Sequence, residues 1–200
     1  MNISKSIFKS IFVFSLIAAC SAFMYGQQIE PSYNISLNLV IGSNDGTARA
    51  ELPAELAAVS KQIKSSFQFA NYRVANTLIG RISNAGSFQY QSVANMSDKE
   101  PLPASPTFLD WSLVEFRNMP NAKGQAGFQA RSFKFGAKVP VLVGSREDNG
   151  KTMPSINYES IGLDLNKVGL PENTPTLIGT LNLPGAGGTI FLIMTVKSAD

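Results

Sequence analysis

The side chains that most enzymes use for acid–base or nucleophilic chemistry are scarce in this chain of 200 residues. It contains no histidine, which excludes Ser-His-Asp and Cys-His catalysis and the usual zinc sites. Its one cysteine, Cys20, lies in the apolar N-terminal segment, so no disulfide can form within the folded part. We therefore expect no catalytic residue, no metal site and no cofactor.

Paired carboxylates are the remaining route to catalysis, because two acids with well-separated pKa values can hydrolyse glycosidic bonds. Asp110 and Glu115 are five residues apart in a predicted strand and fall on opposite faces, and Glu147 and Asp148 are neighbours in a predicted loop. Neither pair has sequence surroundings that would separate two pKa values. We therefore do not expect an enzyme.

Residues 1–26 have the features of an export signal. Lys5 and Lys9 give a positive start, and the apolar run from Ile11 to Ala19 follows. That run is shorter than the roughly 20 residues needed to span a bilayer. The pattern favours a cleaved leader over a retained anchor, and it predicts an exported protein.

The position of the cleavage site has two interpretations. Cleavage after Ala22 or Gly26 would discard Cys20 and give a periplasmic protein. The segment Ile17-Ala18-Ala19-Cys20 resembles the bacterial lipobox, in which the cysteine becomes the lipidated first residue of an outer-membrane lipoprotein. Both interpretations stay open, and lipidation of Cys20 is the only membrane attachment that we predict.

The part of the chain after the leader has the size of one domain with its own core. We predict a single β-rich domain over residues 30–200, with a Pro-rich loop at 96–106. Seventeen Lys and Arg, less the two in the leader, leave fifteen basic residues against fourteen acidic ones. A net charge of about +1 without a basic stripe gives no reason to expect nucleic acid as a partner.

The pattern of apolar residues predicts an α+β fold, mainly antiparallel β in a sandwich-like arrangement, with one amphipathic helix at about 53–67. Pro53 suits the first helical turn. The segment Tyr33–Ile41 alternates as a half-buried strand does, and "TIFLIMTV" near the C-terminus is apolar on both faces. We expect that last strand to lie centrally or beneath the helix. The stripe that should dock the helix on the sheet comprises Leu52, Leu56, Val59, Ile63 and Phe67.

Two connections are predicted between strands. Asn84-Ala85-Gly86 fits a tight turn that would pair the segments on either side of it as a hairpin, with the glycine at positive φ. A second hairpin runs from Phe133 to Leu165, and its polar stretch from Ser145 to Ser155 is expected to be a long loop.

Aromatic residues are numerous, with thirteen Phe, five Tyr and one Trp. Most should lie in the core, but an exposed aromatic cluster would indicate a surface for a partner. The candidates for such an interaction surface are Phe88, Tyr90, Trp111 and Phe116.

The segment "FKFGAKVPVLVG…INYESIGLDL" resembles part of the β-domain of bacterial secretins, in which a Gly-x-x-Val-Pro strand and a Tyr-x-x-(Val/Ile)-Gly-x-x-Leu strand flank a loop. The resemblance implies that neighbouring strands hold the register, so that the connecting loop can be long. Pore formation is not carried over. The matching positions are Gly136, Val139, Pro140, Tyr158, Ile161, Gly162 and Leu165.

Most of the chain after the leader also resembles small, uncharacterised exported proteins of Gram-negative bacteria. Those proteins share an early strand, a Leu-Pro helix start, an aromatic entry into a hairpin and a final apolar strand. The resemblance implies an envelope location and a mainly antiparallel α+β fold. The matching positions are Leu52-Pro53, Phe67, Phe69, Tyr72-Arg73 and the span from Gly179-Thr180 to Thr195-Val196.

Three functions remain, in decreasing order of preference. The first is a non-catalytic envelope protein that acts as an interaction or assembly module, with another envelope protein as its partner. The second is a carrier of a small ligand or lipid, with a cavity between helix and sheet. The third is a hydrolase whose acids converge in a cleft.

Overall fold

The structure is a computed structural model that describes residues 30–44, 51–96, 105–120, 123–148, 151–184 and 188–199. Residues from Pro31 to Asp200 form one compact unit. Cys20 and most of the Pro-rich segment lie outside the described residues. Within those residues, no helix is long and apolar enough to cross a membrane. The secondary structure consists of β1 (Ser32–Ser43), a 3-10 turn (Ala54–Leu56), α1 (Ala57–Ser66), β2 (Asn71–Ser83), β3 (Phe88–Ala94), β4 (Thr107–Asn118), β5 (Gly127–Asp148), β6 (Lys151–Pro171), β7 (Thr176–Asn182) and β8 (Thr189–Ser198).

The strands form two antiparallel four-stranded sheets, in the orders β2-β1-β8-β7 and β3-β4-β5-β6. We call them the first and second sheet. Within each sheet, strands that follow one another in sequence lie side by side, and β8 returns to pair with β1. The topology is therefore an eight-stranded meander that is flattened into two layers, as the predicted sandwich-like α+β fold requires.

The main core lies between the two sheets and is built from alternating residues of both. The inward face of β1 contributes the predicted set Ile35, Leu37, Leu39 and Ile41, all at most 2% exposed. The second sheet contributes bulky side chains that fill the interior. Four of them that are at most 1% exposed are Trp111, Leu113, Phe116 and Phe133.

A second, smaller core lies on the other face of the first sheet, beneath the helix. Ile63 of α1 is fully buried there, and the ring of Phe191 on β8 meets that of Phe67 edge-on at 4.9 Å. Because both faces of β8 are covered, its eight residues from Thr189 to Val196 are all buried. The predicted helix and the predicted central position of this strand are both confirmed.

Three adjacent strands of the second sheet share a kink. Glu115 on β4 and Lys167 on β6 have left-handed backbones, with φ of 50° and 56°. Glu115, Arg131 of β5 and Lys167 lie side by side across the three strands. None of the three has a partner in the strand pairing, although the residues on either side of them do. Each strand therefore has two successive residues that face away from the core, which keeps the alternation of all three strands in phase. Residues on both sides of the row, such as Leu113 and Phe116, still point into the core.

Glycines close the two seams where the sheets meet. A Cβ atom at Gly80 of β2 would overlap the ring of Phe88 on β3, and one at Gly179 of β7 would overlap the side chain of Leu163 on β6. In each seam, a large side chain of the second sheet thus lies directly on the backbone of the first. This close approach is possible because glycine has no side chain.

The two connections differ from their predictions. The segments flanking Asn84-Ala85-Gly86 do not form a hairpin, because β2 pairs with β1 while β3 pairs with β4 in the other sheet. It is Ala85, with φ of 58°, and not the glycine that has a left-handed backbone. Most of the expected loop from Ser145 to Ser155 is also strand, since β5 continues to Asp148 and β6 begins at Lys151. Turn residues marked where the chain reverses, but they did not determine which strands pair.

Candidate interaction surface

The hairpin of β5 and β6 is much longer than the sheet to which it belongs. The last residue of β5 that pairs with β4 is Lys138, whereas pairing with β6 continues to Asp148. From Val139 onward, the hairpin is a two-stranded ribbon, which we call the ribbon (residues 139–148 and 151–159). Ten extended residues span roughly 30 Å.

Exposed apolar side chains are concentrated on the ribbon. Leu142 is 55% exposed, Val143 61% and Met153 44%. Val143 lies where the register shifts between Leu142 and Gly144, so a bulge turns its side chain outward. The register places Leu142 and Met153 on opposite faces of the ribbon, so the ribbon presents exposed apolar side chains on both of its faces.

The edges of the ribbon carry unpaired backbone groups. β6 is the last strand of its sheet, and β5 beyond Lys138 has only β6 as a paired neighbour among the described residues. Strand edges of this kind can pair with a strand of another chain. Arg146 and Glu147 are also exposed near the tip, and charged residues of this kind limit non-specific pairing.

A concave region of about 740 Å³ lies at the base of the ribbon, on the solvent-facing side of the second sheet. We call it the basal groove. The rings of Phe108 and Tyr158 lie beside each other here, with their centroids 5.7 Å apart, and are 46% and 39% exposed. The groove is lined by Gln91, Ser92, Phe108, Leu109, Asp110, Gly136, Ala137, Lys138, Tyr158, Ser160 and Ile161.

One row of the second sheet at the basal groove contains two glycines. Gly136 of β5 pairs with Gly162 of β6, and Asp110 of β4 lies opposite Gly136. The carboxylate of Asp110 leans over Gly136 and occupies the space that a Cβ atom would take there. Two residues before Gly136 on β5, Lys134 Nζ forms an ion pair with Asp164 Oδ2 of β6 at 2.9 Å.

The four aromatic residues predicted as an interaction surface lie elsewhere. Trp111 and Phe116 are 1% and 0% exposed, so the expectation of an exposed cluster is wrong for them. Both alternate inward on β4, in phase with Leu109 and Leu113, and the core encloses their rings. Phe88 and Tyr90 stack at 6.2 Å along the core margin, where Phe88 closes the seam over Gly80.

The candidate carboxylates do not converge. Asp110 faces the basal groove, whereas Glu115 lies in the kinked row and pairs with Arg131 at 3.1 Å and with Arg117 at 3.5 Å. Glu147 is exposed near the ribbon tip. Within the described residues, no three potential ligands group in a way that could hold a metal ion.

The space between helix and sheet, where a carrier would hold its ligand, is occupied by the protein itself. Val59 and Ile63 of the helix pack there against Val40, Phe191 and Ile193, and none of these side chains is more than 4% exposed. This packing does not favour the carrier alternative.

Sequence reasoning missed the two exposed aromatic residues of the basal groove. Phe108 and Tyr158 are separated by 50 positions, and only the register across β5 brings them together. A usable signal did exist, because Phe108 alternates with the inward set Leu109, Trp111 and Leu113. That alternation predicts an outward-facing aromatic residue.

No family model and no curated protein matches this chain. Among solved structures, it is similar to the secretin InvG of the Salmonella SPI-1 type III secretion injectisome, in a structure of residues 176 to the end in the open gate state. The sequence identity is 9% and the TM-score 0.33, and the match covers 96% of this chain. This chain spans 65% of the length of that one. A likeness at this level carries no argument about function.

Proposed function

We propose that this chain is a non-catalytic interaction or assembly module of the bacterial envelope, and that the ribbon is its contact element. The observation that supports the proposal most directly is the continuation of β5 and β6 beyond their last neighbouring strand, with Leu142, Val143 and Met153 exposed. These side chains are about half exposed, so burying the rest of each against a partner would contribute roughly half of the ~1.5–3 kcal/mol of a full burial, before the costs of association.

The envelope location in this proposal comes from the leader-like N-terminus, with Lys5, Lys9 and the short apolar run after them. The partner in this proposal is another envelope protein, and the contact has two components. Apolar side chains on the ribbon supply affinity, and its open edges allow a strand of the partner to add to the sheet.

Site-specific photo-crosslinking in the native cell tests the proposal. A photoreactive amino acid replaces Met153 on the ribbon in the full chain, and a matched variant carries it at Ile79, a 69% exposed residue of β2. We expect one discrete adduct from position 153 and none from position 79. Mass spectrometry of the adduct then identifies the partner.

A double variant tests whether the adduct depends on the exposed apolar side chains of the ribbon. Introducing Leu142→Ser and Val143→Ser together should abolish the adduct from position 153 while leaving the melting temperature unchanged, because both side chains are exposed. An adduct that persists in this variant, or equal adducts from positions 153 and 79, would refute the proposal.

A further inference from the structure

The basal groove combines exposed aromatic rings with hydrogen-bonding groups. Phe108 and Tyr158 present ring surface to solvent on one side of the groove. Aromatic rings that stay exposed on a sheet face favour a ligand that has a flat apolar surface of its own. The C–H faces of pyranose rings are such surfaces, and the hydroxyls around their rims require polar partners.

Polar groups of both kinds stand where such hydroxyls would lie. Asp110 supplies a carboxylate acceptor, Lys138 a charged donor, and Gln91 and Ser160 supply groups that donate and accept. Hydrogen bonds to charged groups are the stronger ones. Because one groove holds both an anionic and a cationic side chain, it complements a neutral polyhydroxyl ligand better than an anion or a cation.

The glycine at the floor of the groove exposes a polar group to such a ligand. Gly136 has no side chain and the carboxylate of Asp110 lies over it, so a ligand that enters the groove meets this carboxylate. The groove volume of about 740 Å³ falls within the range of roughly 300–1,000 Å³ that is usual for small-ligand sites.

From these observations, we infer that the basal groove is a saccharide-binding site. The rings of Phe108 and Tyr158 are inclined at 49° to each other, so each packs on a different sugar unit. Asp110, Lys138 and Gln91 hydrogen-bond the hydroxyls. This inference does not depend on the proposed function. The groove shares Tyr158 with the base of the ribbon, but it includes none of Leu142, Val143 and Met153, on which the proposed function rests.

Titration of the full-length chain with chitotetraose and with maltotetraose, followed by amide chemical shifts, tests the inference. We expect saturable binding of at least one tetrasaccharide with a Kd on the order of 1 mM or tighter, and shifts confined to the lining of the basal groove. The absence of saturable binding by either sugar at 20 mM would overturn the inference, as would shifts located elsewhere.

Variants separate stacking from a general loss of structure. Tyr158→Ala should weaken binding at least tenfold, and Asp110→Asn, which keeps the size of the side chain, should weaken it severalfold. Ile79→Ala removes a similarly exposed apolar side chain from the other sheet and should leave binding unchanged. Equal affinities for Tyr158→Ala and Ile79→Ala would contradict the inference even if sugar binds.

Discussion

The seam between β2 and β3 gives the sharpest prediction about stability. A Cβ atom at Gly80 would fall within the ring of Phe88, so Gly80→Ala must displace that ring. The ring cannot move freely, because it lies 4.8 Å from the ring of Trp111 and stacks on Tyr90. Gly80 itself has no left-handed backbone, and alanine can therefore adopt its conformation.

The expected magnitude follows from two opposing effects. Overpacking of this kind costs about 1–3 kcal/mol. Replacing glycine by alanine reduces the entropy of the unfolded chain and returns about 0.4–1 kcal/mol. We therefore expect Gly80→Ala to lower the free energy of unfolding by about 1–2 kcal/mol, which corresponds to roughly 2–8 °C in Tm for a domain of this size.

Urea denaturation of the folded chain measures this change, and two comparisons control it. Gly144→Ala lies on the ribbon with nothing within 4 Å of its new Cβ, so the same substitution should there be neutral or slightly stabilising. A double-mutant cycle of Gly80→Ala with Phe88→Leu should give a coupling energy of at least about 1 kcal/mol, because a smaller side chain relieves the overlap. The close-contact explanation of the seam is wrong if Gly80→Ala and Gly144→Ala change the free energy of unfolding equally. It is also wrong if the effects of Gly80→Ala and Phe88→Leu are additive.

Three further predictions concern other parts of the fold. Ile63→Ala should lower the free energy of unfolding by about 2–5 kcal/mol in urea denaturation because the side chain is fully buried, whereas the exposed Lys61→Ala on the same helix should change it by less than about 0.5 kcal/mol. Lys134→Gln should also cost less than about 0.5 kcal/mol, because both partners of its ion pair with Asp164 are more than half exposed; a larger loss would mean that this pair helps to hold β5 against β6. Lys167→Gly should raise the Tm slightly, since relief of a left-handed backbone worth about 1–2 kcal/mol exceeds the entropic cost of glycine of about 0.5–1 kcal/mol; a lower Tm would show that the kink does not strain this residue.

Local patterns predicted the elements of this fold well. The helix could be identified because Leu56, Val59 and Ile63 repeat at helical spacing, and the buried central strand because "TIFLIMTV" has no polar face. The burial of each of these elements depends on its own residues, so one sequence window contains the necessary information.

Pairing and exposure were harder to predict because they depend on distant residues. Asn84-Ala85-Gly86 is a sound turn sequence, yet the strands beside it join different sheets because β1 and β4 are already their partners. The exposure of Leu142 depends on where β4 begins, more than 30 positions earlier, because no residue of β4 lies beside β5 beyond Lys138. Aromatic content alone likewise could not separate Trp111, which points inward, from Phe108, three residues before it, which points outward. Their spacing decides that question, because residues three positions apart on a strand lie on opposite faces of the sheet.

The pairing of β1 with β8 determines when the molecule can exist as a folded body. The strand Ser32–Ser43 occupies an interior place in its sheet, and one of its two neighbours is Thr189–Ser198, some 150 residues later. A nascent chain that still lacks this strand has neither its most apolar segment nor Phe191 and Ile193, against which the helix packs. Contacts of such long range make folding slow, so we expect the first sheet to form only after Thr189–Ser198 has been synthesised.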